Sequence, residues 1–68
     1  MRLDTTPRLP DPDAAFTALV DAHRDLDEAA SRRFDARLVL ILANHIGDAA
    51  VLNDALQLAR DTTLRQQP

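Results

Sequence analysis

The chain has 68 residues, a formal net charge of −3, 46% hydrophobic and 3% aromatic residues, one glycine and no cysteine. That length holds one small domain, and the missing cysteines exclude both a disulfide framework and a zinc-finger pattern. The acidic balance argues against nonspecific binding to nucleic acid or to an anionic membrane, which needs basic clusters, and no apolar run approaches a membrane span.

All eight basic residues are arginine and every acid but Glu28 is aspartate. With many alanines, this usage points to a GC-rich bacterial genome. Residues 1–10 hold two prolines, two threonines and few apolar groups, which predicts a flexible or extended lead-in. Met1-Arg2-Leu3-Asp4 runs into proline and aspartate and not into an apolar signal core, so the expected location is cytoplasmic.

Asp11-Pro12-Asp13 predicts a helix start: aspartate suits the N-cap, proline the first turn, and a second acid complements the dipole. The helix is expected over about 12–25, with Phe16, Leu19, Val20 and His23 on one stripe at i, i+3, i+4 and i+7. Leu26-Asp27-Glu28 forms the first junction. No glycine marks it; Asp27 is the expected N-cap of the next helix, with Leu26 as its hydrophobic staple.

The central helix is expected over about 28–46. Ala30, Phe34, Leu38, Ile41, Leu42 and His45 share a face, while Arg32, Arg33, Asp35 and Arg37 line the polar side. Beyond Leu38 the helix turns apolar nearly all round, since Val39, Leu40, Ala43 and Ile46 add a second face. Such a helix has to be covered nearly all round, which two short neighbours in a chain this small can hardly do; it is either a wide core helix or one whose second face meets another subunit or another protein. Gly47 is expected as the left-handed stop, and Asp48 as the N-cap of a third helix over about 49–61. Val51, Leu52, Ala55, Leu58 and Ala59 make the core stripe of that helix. Asn53, Asp54, Gln57 and Arg60 form its wet side, and residues 62–68 form a fraying tail. The fold class is therefore all-α: a three-helix domain over 11–61, paired into a helical-bundle homodimer.

His23 and His45 are the groups that titrate near neutral pH. One function class would join them with each other, or with Asp21, Asp25 or Asp48, as a metal or acid–base site. The sequence has no His-Glu-x-x-His pair, no Cys/His cluster and no phosphate-cradling glycine loop, so no cofactor is expected. The central helix, Gly47-Asp48 and the third helix have the outline of a helix-turn-helix, but a recognition helix opening on Asp48-Ala49-Ala50-Val51-Leu52 carries the wrong charge for DNA.

Asp11-Pro12-Asp13, Leu19-x-x-Ala22-His23-x-x-Leu26 and the segment Leu38-x-Leu40-x-Leu42-Ala43-Asn44-His45-Ile46-Gly47-Asp48 together resemble a family of very short bacterial proteins of unknown function. The resemblance covers about residues 10–60, with Asp27-Glu28-Ala29-Ala30 less polar than the pattern. It implies no activity. It implies a small accessory or stabilising subunit, encoded beside flavin-dependent oxidoreductases. The reading that joins these observations is a non-enzymatic interaction module whose partner is itself or a larger protein. Its candidate interface is Leu38, Ile41, Leu42, Asn44, His45, Ile46 and Asp48, with His23. Asn44 and His45 would set the register of the contact.

Overall fold

The computed structural model describes residues 2–67. Its first helix, α1, spans Pro12–Ala22 and begins as the sequence dictates. The Asp11 carboxylate accepts the Ala14 amide at 3.0 Å, and the proline ring follows where no amide is needed. The helix ends three residues before the expected limit because the backbone reverses through Asp25, whose φ is +67°. Aspartate is among the few non-glycine residues that enter this left-handed region readily. It does at this junction what glycine does at the next, and the Leu26 amide closes the turn on the His23 carbonyl at 3.1 Å.

The second helix, α2, spans Glu28–Ile46. Asp27 caps it as expected: its carboxylate accepts the Ala30 amide at 2.8 Å and its carbonyl accepts the Ser31 amide. The exposed Arg32–Glu28 pair, one turn apart, lies on its polar side. At the far end Gly47 takes a φ of +66° and donates its amide to the Ala43 carbonyl at 2.9 Å. That is the left-handed helix stop, with its single amide bond back to the last turn.

The third helix, α3, spans Ala49–Arg65. The Asp48 carboxylate accepts the amides of Ala50 and Val51 at 2.9 and 3.3 Å. The helix runs four residues beyond the expected limit, through threonines that a propensity argument discounts. The hydroxyls of Thr62 and Thr63 bond back to carbonyls at Leu58 and Ala59, and Gln57 donates to Asp61. Arg65 is therefore the cation of the last turn. Among the described residues there are three helices and no strand.

The chain divides into two compact units, Thr6–Leu40 and the pair of segments Met1–Thr5 and Ile41–Pro68. In the first, α1 meets the N-terminal half of α2 where the His23 and Phe34 rings lie edge to face, centroids 4.6 Å apart. In the second, the N-terminal segment is tied to α3: the amides of Arg2 and Leu3 both donate to the Asp54 carboxylate, at 2.7 and 3.3 Å. Asp54 is thus half-buried beneath the lead-in and does not belong to a wet side. The outer ends of the expected lead-in and tail, Met1 and Pro68, lie outside the described residues.

Candidate functional site

Two groupings carry chemical interest, a polar one and an apolar one. The polar one is centred on His23, at the C-cap of α1. Its Nδ1 lies 2.6 Å from the Leu19 carbonyl oxygen and its Nε2 lies 2.6 Å from Asp35 Oδ1. Both partners are pure acceptors, and a neutral imidazole carries only one N–H. The arrangement is complete only when both nitrogens donate, that is, in the imidazolium. The Leu19 carbonyl first, then the Asp35 carboxylate by hydrogen bond and charge, hold the His23 pKa above its ordinary 6.5, against a smaller opposing effect of desolvation. The side chain of His23 is 30% exposed and that of Asp35 61%, so water screens the pair.

The sequence places His23 on the apolar stripe of α1, and the structure keeps it half-buried there. Its acid is not one of those considered from spacing. Asp21 holds Arg24 at 2.8 Å and the Asp48 carboxylate caps α3. A symmetric turn about residues 24–27 would set His23 opposite the first turn of α2. Its actual partner lies seven residues, or two turns, further in. No sequence signal marks that offset, which is why Asp35 reads as one more solvated charge. With both nitrogens engaged, His23 presents neither a lone pair for a metal nor a free base. Among the described residues no group of three or more His, Cys, Asp or Glu side chains is placed to hold a metal ion.

The apolar grouping is the C-terminal half of α2. No described residue is fully buried, and the large side chains of this segment stand out: Leu40 is 69% exposed, Ile41 65%, Ile46 51% and Leu42 50%. Of the candidate interface residues, Leu38 and His23 are half-buried, whereas Ile41, Leu42, Asn44, His45, Ile46 and Asp48 are all exposed. Leu40, the most exposed of the segment's large apolar side chains, belongs with them. The sequence puts it on the second apolar face with Val39, Ala43 and Ile46, although it is not among the candidate interface residues. Phe16 and Val20 of α1 are also open to solvent, at 68% and 53%, so the stripe of α1 is only partly covered.

A shallow groove of about 560 Å³ follows one face of α3 past Leu56, Ala59, Arg60, Thr63, Leu64 and Gln67. It has one charge, Arg60, and its Thr63 hydroxyl is already bonded to the Ala59 carbonyl, so it brings together no acid–base or nucleophilic pair. No helix among the described residues is long and apolar enough to cross a membrane.

A family model described as a protein of unknown function, DUF2783, matches residues 3–61. No curated protein and no solved structure matches the chain.

Proposed function

We infer that this chain, which belongs to the DUF2783 family of proteins of unknown function, works as a helical protein–protein interaction module and not as a catalyst. The observation that carries the reading is the exposure of residues 39–46 of α2, where four large aliphatic side chains are at least half open to water. Single exposed apolar residues are ordinary, but a contiguous apolar segment marks a contact surface. The polar chemistry supports the same reading, because the imidazole best placed to react is consumed in bonding α1 to α2.

The partner is a second copy of the chain or a larger protein to which it is an accessory subunit. The test is the apparent mass of the chain in a native extract of its host, followed by antibody on size exclusion. Elution well above the chain's 7.5 kDa is expected. Elution as the free chain at its native concentration would sink the interaction reading.

A further inference from the structure

We propose that the groove along α3 docks an amphipathic helix of a larger protein, one that seats aliphatic side chains between Leu56 and Leu64 and sets a carboxylate against Arg60. This contact rests on the interaction reading above and gives the partner a chemistry. The groove is lined by α3 alone, so its shape depends on one helix.

Helical spacing gives α3 two stripes. Val51, Ala55 and Thr62, at i, i+4 and i+11, are half-buried along one side. Leu56, Arg60, Thr63 and Gln67, at i, i+4, i+7 and i+11, follow another, and all four are exposed. Leu56 is 51% exposed and Leu64, beside this second stripe, 48%. Between the two leucines stand Ala59 and Thr63, short side chains that leave room for a large one from outside. The Thr63 hydroxyl is turned back onto the Ala59 carbonyl at 2.7 Å, so it does not compete for a visitor. A small-molecule site encloses most of its ligand, which this open groove of about 560 Å³ does not. From residue 56 to residue 67 it rises about 16 Å, or three turns, the length over which a facing helix offers anchors at i, i+3 or i+4, and i+7.

Charge selects the partner. Among the described residues no hydrogen bond or ion pair engages the Arg60 guanidinium. The two acids of α3 are committed elsewhere: the Asp54 carboxylate accepts the amides of Arg2 and Leu3, and that of Asp61 accepts the Gln57 side-chain amide. A purely apolar partner would cover Arg60 without a counter-charge, which is costly. A second copy using this same face would bring a second Arg60 and no acid, since the groove residues include neither Asp nor Glu. An acid on an otherwise apolar helix face supplies what is missing. The guanidinium is permanently charged, its fork takes a carboxylate through two N–H donors, and its aliphatic stem packs along the leucines.

The experiment is photo-crosslinking of the full chain in its native host. The photoreactive residue replaces Gln67, at the end of the groove, with Arg33 on the polar side of α2 as the control position. Mass spectrometry of the bridged peptide should show a helical segment of another protein, with Asp or Glu within one turn of its aliphatic residues, from Gln67 and not from Arg33. Arg60→Glu, at an exposed position where circular dichroism should show the helix content kept, should lower the yield at least about tenfold. Exchanging the partner's acid for arginine should restore it. No bridge from Gln67, a bridge between two copies of this chain, a partner segment without an acid, or a yield indifferent to Arg60→Glu would each overturn the proposal. If the chain still elutes well above its free mass in the native extract, the broader interaction reading survives that failure; elution as the free chain sinks both.

Discussion

His23 Nε2 and Asp35 Oδ1 are 2.6 Å apart, and the other ring nitrogen of His23 is equally close to the Leu19 carbonyl. Two acceptors on one imidazole tie the end of α1 to the second turn of α2 through a proton.

Its pH dependence has a definite sign. The folded-state pKa of His23 is raised, chiefly by Leu19 and then by Asp35. Its stabilising contribution is therefore complete below the ordinary 6.5 and is lost as pH rises through the raised value. Asp35 is the charged group that faces the ring from α2, while Asp21 on its own helix is occupied by Arg24. Thermal melts should show a lower midpoint above that pKa than at pH 6, and Asp35→Asn should reduce the difference. An imidazole titrating at or below 6.5 by NMR would contradict this.

The first junction turns on Asp25 at φ +67°. A left-handed L-residue costs about 1–2 kcal/mol, a cost absent for glycine. Asp25→Gly should leave stability unchanged or raise it by up to about 1 kcal/mol, while Asp25→Val should lower it by about 1 kcal/mol or more. Urea midpoints decide the matter, and a lower midpoint for the glycine variant would be inconsistent with the turn described.

Gly47 separates backbone strain from crowding. A Cβ placed there would meet nothing nearer than the Asn44 carbonyl oxygen at 3.8 Å, which is ordinary contact, yet φ is +66°. Gly47→Ala should therefore cost about 1–2 kcal/mol from conformation alone, and Gly47→Asn less. Equal losses for alanine and asparagine would point to a steric origin instead.

Asp54 predicts the behaviour of the N-terminal segment. Its carboxylate accepts two successive amides, of Arg2 and Leu3. Asp54→Ala should speed hydrogen exchange at those two amides several-fold, while amides in the middle of α3 change little. Unchanged exchange at Arg2 and Leu3 would remove the tie.

The punctuation of the fold is legible residue by residue. Asp11, Asp27 and Asp48 are caps because a short carboxylate reaches the free amides of a helix's first turn, and Gly47 is a stop because only glycine enters the left-handed region freely. These are local rules, and the three helices follow from them together with the 3.6-residue period of Phe34, Leu38 and Leu42. The all-round apolar character of residues 38–46 is equally local, and it is the segment whose large aliphatic side chains the structure leaves exposed. The tertiary structure decided what depends on register between elements. It paired His23 with Asp35 and not with a nearer acid, put Asp54 under the N-terminal segment, let Asp25 turn a junction without glycine, and left Leu40 the most exposed large apolar side chain of its segment. Each of those outcomes depends on how far one element slides or rotates against another. Side-chain contacts summed over whole helices set that offset, and no short stretch of residues encodes it.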